Sequence, residues 1–137
     1  EGSPYMHPRQ MLRALERNAV VWYAADQSAR GKHSALIPFF GEPAMTSTAI
    51  HRIARLSGAA VLPYLCRRLP GRDPAYVMRV EAPLADFPGP DAVADVRRLT
   101  ARMEEHIRTC PEQYFWVHQR FKGRPPPLPD FYARRAA

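Results

Sequence analysis

Five histidines, His7, His33, His51, His106 and His118, are the side chains best suited to moving a proton near neutral pH. A histidine that activates a hydroxyl needs a carboxylate to set its tautomer and to stabilise the imidazolium it becomes. None of the five has Asp or Glu five positions on, because those positions hold Leu12, Pro38, Leu56, Pro111 and Gly123. These residues therefore contain no local histidine and carboxylate pair for general-base catalysis. The glycines at 2, 31, 41, 58, 71, 89 and 123 form neither a GxG phosphate loop nor a GxSxG elbow, which argues against nucleotide-dependent chemistry and common serine hydrolysis. Cys66 and Cys110 lack the spacing of a zinc site or a disulfide framework, so no metal or other cofactor is expected, and reduced, cytosol-facing thiols are the simplest reading.

Two segments retain chemical interest. Asp26 closes the apolar run Ala19-Val20-Val21-Trp22-Tyr23-Ala24-Ala25, and a carboxylate there needs a cation or backbone donors. It is either part of an active-site wall or a loop cap. The loop that follows carries Arg30, Gly31, Lys32 and His33, where an α/β sheet commonly places ligands, although a solvated polar loop has the same composition. His51 and His106 fall among arginines on predicted helices, as on a solvated helix face. The second segment runs from Pro111 to Lys122 and interleaves four aromatics with His118, Arg120 and Lys122. It suits a nucleic-acid stacking surface, a membrane-interface segment or a last turn packed onto the core.

The chain has 137 residues and a 46% hydrophobic content, enough for one modest domain with its own core. Its net charge of +7 favours an anionic partner without choosing among nucleic acid, phosphorylated lipid, an acidic carrier protein and a charged membrane face. All the basic residues but Lys32 and Lys122 are arginine, which fits a GC-rich genome better than a dedicated phosphate surface. No apolar run reaches the roughly 20 residues of a spanning helix, and the opening Glu1-Gly2-Ser3-Pro4 reads as a start inside a longer protein. Prolines 125, 126, 127 and 129 mark residues 123–137 as a Pro/Arg-rich tail, with the fold lying mainly in residues 1–122.

The elements that must position these residues alternate. Residues 8–17 read as a short helix opened by Pro8, with Met11, Leu12 and Leu15 at helical spacing. The run 19–25 reads as a strand buried on both faces, as in a parallel sheet between helices. Residues 35–40 are apolar, but Pro38 demotes them to an edge strand or extended loop. Thr46 can cap a helix lined by Ala49, Ile50, Ile53, Ala54 and Leu56 and ended by Gly58. Strands follow at 59–66 and 75–80 around the turn Pro70-Gly71-Arg72-Asp73-Pro74. From Asp91 to Thr109, Val93, Val96, Leu99, Met103 and Ile107 step by three and four, predicting a long helix. The expected fold class is α/β, a sheet flanked by helices with crossover connections.

Several blocks of the chain resemble, in order, the lipid A biosynthesis acyltransferases, the lauroyl and myristoyl transferases of Gram-negative bacteria. They are Val21-Trp22-Tyr23-Ala24-Ala25-Asp26-Gln27, then Pro38-Phe39-Phe40-Gly41 with Pro43-Ala44 and Thr46. Ile53 to Ala59 follows, and then Pro111-Glu112-Gln113-Tyr114 with Trp116, His118 and Arg120-Phe121-Lys122. The resemblance implies the carboxy-terminal part of a glycerolphosphate-acyltransferase-like α/β domain. It further implies transfer of an acyl group from acyl carrier protein, or a similar thioester donor, to a hydroxyl of a phosphorylated glycolipid, at the cytoplasmic face of the inner membrane. The family's catalytic His-x4-Asp/Glu pair and membrane helix are expected upstream, so no catalytic residue is assigned here and activity of these residues alone is not expected. Carried over by position, Asp26 and Gln27 become an active-site wall, while Arg30, Lys32, His33, Arg120 and Lys122 become candidate substrate contacts. Gln119 stands where many relatives have Arg. An acyltransferase for another glycolipid, such as a phosphatidylinositol mannoside, and a basic nucleic-acid binder are the alternatives; with the lipid A reading no nucleic acid is expected.

Overall fold

The computed structural model describes residues 7–73 and 75–133. The first helix, α1 (Pro8–Glu16), begins in a capping box. His7 Nδ1 accepts from the Arg9 N–H at 3.3 Å, and the Gln10 side chain accepts from the His7 N–H at 2.9 Å. Strands β1 (Ser34–Phe39) and β2 (Glu42–Ser47) form an antiparallel hairpin in which Phe39 faces Glu42, leaving Phe40 and Gly41 as the turn. Both turn residues have positive φ, +50° and +85°, as a two-residue type I′ turn requires. Pro38 faces Pro43 in the register, so two residues without N–H groups share one rung.

Helix α2 (Ala49–Ser57) ends at Gly58, whose φ of +67° places it in the left-handed region and whose N–H bonds to Ala54 O. Its N-cap is Thr48 and not Thr46; Thr46 is fully buried in β2. Strands β3 (Tyr64–Arg68) and β4 (Tyr76–Val80) form a second antiparallel hairpin. Helix α3 (Ala92–Thr109) starts on an Asp91 side-chain cap and turns Val96, Leu99 and Ile107 inward, as the three-and-four spacing predicts. Two short 3-10 turns, Pro111–Gln113 and Trp116–His118, lead into the C-terminal segment.

The core has two lobes joined by β1 and α3. Ile37, Ile50, Val96 and Leu99 form one; Phe39, Ala44 and Ile107 form the other. Period-two alternation explains the sharing, since Ile37 and Phe39 point inward from β1 while Leu36 and Pro38 point out. Each fully buried side chain of this size contributes about 1.5–3 kcal/mol. One long helix therefore organises both lobes.

The chain is an α/β protein, but its two sheets are separate, two-stranded and antiparallel. The parallel, crossover-connected sheet expected from the sequence is absent among the described residues. The predicted strand at 19–25 is the main difference, because no backbone hydrogen bond engages residues 20–25 among the described residues. Its apolar composition is satisfied on one side only: Tyr23 and Ala25 pack on the first lobe, whereas Val20 is 97% exposed and Trp22 71%. β-rich composition makes a strand only where a neighbour offers a ladder. No described helix is long and apolar enough to cross a membrane.

Candidate functional site

Asp26 lies at the end of the 19–25 run, in the turn that leads into the 27–33 loop. The Tyr114 hydroxyl donates to its Oδ2 at 3.0 Å across 88 residues of sequence. Burial and the adjacent Asp26 charge push the Tyr114 hydroxyl far above the ordinary phenol range, so it stays protonated and keeps donating. Phe39 anchors this tyrosine, with ring centroids 5.6 Å apart, and also meets Trp116 and Phe121. The aromatic segment is divided: Tyr114, Phe121 and one side of the 44%-exposed Trp116 turn onto Phe39, and Phe115 and Val117 turn out to solvent.

Arg120 completes the centre from below. Its side chain is 1% exposed, and its guanidinium donates to Met45 O at 2.9 Å and Thr46 Oγ1 at 2.6 Å on β2. It also lies over the Phe39 ring at 5.2 Å. Burial pulls its basicity below the ordinary arginine value, and the neighbouring Tyr114 and Asp26 oppose that shift. A buried cation needs such acceptors and countercharges to be tolerated. The structure shows Arg120 joining the C-terminal segment to β2, which separates it from the surface cations grouped with it by sequence.

Those surface cations gather at one rim. The Ser28 hydroxyl donates to Lys122 O at 3.2 Å, laying the loop after Asp26 along the C-terminal segment. Arg30 rests against Gly123, where an added Cβ would come within 2.5 Å of its Nε. His33 Nε2 lies 3.1 Å from an Arg52 guanidinium nitrogen, which can only donate, so the imidazole nitrogen accepts. Lys32 and Lys122 are exposed, and Gln27 is half-buried. Arg30, Lys32, His33, Arg52 and Lys122 are cationic or polar groups able to meet an anion, and Arg52, on α2, gave no motif in the sequence.

The tail also folds back. Arg124 is 1% exposed in its side chain, pairs with Glu42 at 3.2 Å and stacks 3.7 Å from the Phe131 ring centre. The Tyr132 hydroxyl accepts from the Phe121 N–H at 3.2 Å. Residues 134–137 lie outside the described residues.

One histidine and carboxylate pair does form, and a search confined to five-residue spacing missed it. His51 Nδ1 lies 2.8 Å from Asp95 Oδ2, 44 residues away, and both are buried. His51 is therefore not on a solvated helix face as predicted: the charge it meets comes from α3. Asp95 also accepts from Gly89 N at 2.7 Å and from Arg98 at 2.7 Å. Burial disfavours its charge, but the hydrogen bonds from Arg98, His51 and Gly89 outweigh that and hold the carboxyl below its ordinary value. Accepting three hydrogen bonds, Asp95 clamps α2, α3 and the 86–90 loop together. His106 is half-buried, with Nε2 3.2 Å from Cys66 O.

Neither cavity opens on Asp26. A groove of about 490 Å³ is walled by Arg79, Glu81, Pro83, Leu84 and Arg102, among others. A smaller one of about 100 Å³ is lined by Cys66, His106, Ile107, Cys110, Gln113 and Tyr114, so it reaches the tyrosine but not the carboxylate. No group of three metal-binding side chains occurs among the described residues.

The turn of the first hairpin, the Asp26–Tyr114 contact and buried Arg120 are built from the blocks whose order suggested a family, and comparison with known proteins agrees. Residues 6–123 match the bacterial lipid A biosynthesis acyltransferases, and the chain belongs to that family. It is 37% identical over 123 residues to the lipid A biosynthesis lauroyltransferase of Escherichia coli K12, covering 89% of this chain and 40% of that one. The lipid A biosynthesis palmitoleoyltransferase of the same organism is 33% identical over 120 residues, covering 85% and 38%. Its lipid A biosynthesis myristoyltransferase is 29% identical over 114 residues, covering 83% and 35%. The chain thus spans about two-fifths of the length of these relatives.

Proposed function

We propose that these residues are the carboxy-terminal part of an acyltransferase that moves a fatty acyl chain from acyl carrier protein, or a similar thioester donor, to a hydroxyl of a lipid A precursor. The observation that carries this reading is the family match over residues 6–123, together with relatives named as lauroyl, palmitoleoyl and myristoyl transferases of lipid A biosynthesis. Deprotonation of the acceptor hydroxyl falls to a His-x4-Asp/Glu pair outside these residues. The described residues supply the wall. Tyr114 holds Asp26 in one orientation, and half-buried Gln27 is the next residue along the same wall. Arg30, Lys32, His33 and Lys122 offer charge or hydrogen bonds to phosphate on the glycolipid, while Arg120 positions the segment that carries Tyr114. The reaction takes place at the cytoplasmic face of the inner membrane, where a phosphorylated glycolipid and a soluble thioester can meet.

Lipid A from a strain lacking the gene tests the reading by mass spectrometry. The expected result is a species lighter by one acyl chain, restored by the wild-type gene. Unchanged acylation refutes the lipid A assignment. The wall is tested by complementation with Asp26→Asn, expected to lower transfer at least about tenfold if the carboxylate acts at the cleft.

A further inference from the structure

The hairpin β3–β4 is bonded along one edge and open along the other. Glu81 N donates to Pro63 O at 3.0 Å and Leu69 N to Ala75 O at 2.8 Å, extending the ladder at both ends. In an antiparallel ladder the bonded rungs alternate, so Leu65 with Arg79 and Arg67 with Val77 exchange the inner bonds. The backbone groups of Tyr64, Cys66 and Arg68 then point away from β4, and on that side those of Arg68 and the Cys66 carbonyl are met. Gln113 bonds Arg68 N at 2.6 Å and Arg68 O at 3.0 Å, and His106 lies 3.2 Å from Cys66 O. The equivalent groups of Tyr76, Met78 and Val80 have no partner among the described residues. Their side chains are 60%, 66% and 61% exposed.

We infer that the open edge of β4 receives a strand from the part of the acyltransferase chain that lies outside these residues. This rests on the reading that a longer enzyme surrounds them. Three observations select that occupant. An open row of N–H and C=O groups calls for another backbone, whereas lipid tails would leave it unsatisfied. A second copy paired edge to edge at β4 would cover that strand but leave Val20 and Trp22, 97% and 71% exposed on a different segment, still bare. The relatives carry about three-fifths of their length beyond the matched part, since the match covers 40% of the lauroyltransferase, and that is ample to cover both. Main-chain bonds would supply affinity, and the apolar row of Tyr76, Met78 and Val80 would supply register.

Hydrogen exchange of the polypeptide encoded by the whole gene tests the inference at the amides of Tyr76, Met78 and Val80. The expected result is exchange slowed by at least about 100-fold from the rate of an open strand, independent of protein concentration. Met78→Pro removes one outward N–H without touching the ladder to β3, as edge strands tolerate. It should release protection at Tyr76 and Val80 at least about tenfold while the amides of α3 stay protected; Met78→Ala should not. Open-strand rates in the whole product overturn the inference. So does protection that fades on dilution, which points to a second copy, or that appears only with phosphatidylglycerol vesicles. A gene encoding no further residues also overturns it. An active acyltransferase with unprotected β4 amides sinks the strand pairing alone, whereas protected amides in a product that transfers no acyl chain sink the enzymatic reading and leave the pairing standing.

Discussion

The two hairpins of this protein have similar lengths and similar apolar content, yet one lies in the core and the other stands in solvent. In β1–β2, Ile37, Phe39, Ala44 and Thr46 are fully buried, because α3 crosses one part of the face and Tyr114, Arg120 and Phe121 close the rest. In β3–β4, every residue of β4 is exposed. Apolar content does not separate them, since β3–β4 is no less apolar than β1–β2, although it also carries Arg67, Arg68 and Arg79. What differs is that the first hairpin is enclosed by later parts of the same chain, whereas the second is tethered along one edge by Gln113 and His106 and left bare on the other. Asp26 and Arg120 lie where the chain closes on itself: Arg120 bonds to β2, and Tyr114, packed on Phe39 of β1, bonds Asp26.

Truncation gives the sharpest contrast. Phe39→Ala should cost about 3–5 kcal/mol in urea unfolding, because the ring is fully buried and carries four aromatic neighbours as well as Arg120. Val77→Ala on β4 should stay within about 0.5 kcal/mol. Equal costs would mean that the second hairpin is covered after all. Next in size is Asp95→Ala, expected to cost about 3 kcal/mol by leaving His51 and Arg98 without their shared partner. Loss of that clamp should loosen α2 and α3 but leave β4 exchange unchanged.

Asp95 also sets a pH dependence. Its folded carboxyl titrates below the ordinary value of 3.8, so the unfolded chain takes up the proton first as pH falls. The stability it contributes is therefore fully present above that value and is lost progressively as pH drops further through the folded pKa. Unfolding measured between roughly pH 5 and 2 should show this slope in the wild type and a shallower one in Asp95→Ala. A smaller effect than at Asp95 is expected at Gly123, with φ of +73° and Arg30 against it. Gly123→Ala should cost about 1 kcal/mol, chiefly from the left-handed backbone, since the Arg30 side chain can move aside. A larger loss would show that Arg30 is held rigidly at the rim.

Much of this arrangement was legible beforehand. Val93, Val96, Leu99, Met103 and Ile107 announce α3 by spacing alone, and Gly58 ends α2 as its position suggested. Pro8 opens α1 for the same local reason. Thr46 misled because a cap-competent hydroxyl is equally at home facing a buried arginine, and the choice depended on Arg120, 74 residues later. His51 misled similarly, since helical neighbours gave it a solvated setting while its partner sat on another helix. Asp26 was singled out for needing a donor, and the donor proved to be the Tyr114 hydroxyl, across 88 residues of sequence that no local pattern connects.

Periodicity, caps and turn residues determined by themselves where α1 and α3 run and where α2 ends, because those preferences act within a few residues, whereas β2 was not legible in them. The same local information made 19–25 look like a buried strand, and it went no further, since a ladder needs a neighbour. Tertiary structure alone decided which hairpin is enclosed, which carboxylate meets which donor, and that Arg120 belongs to the interior. Burial and long-range pairing are properties of what the chain folds against, and residue order does not state them.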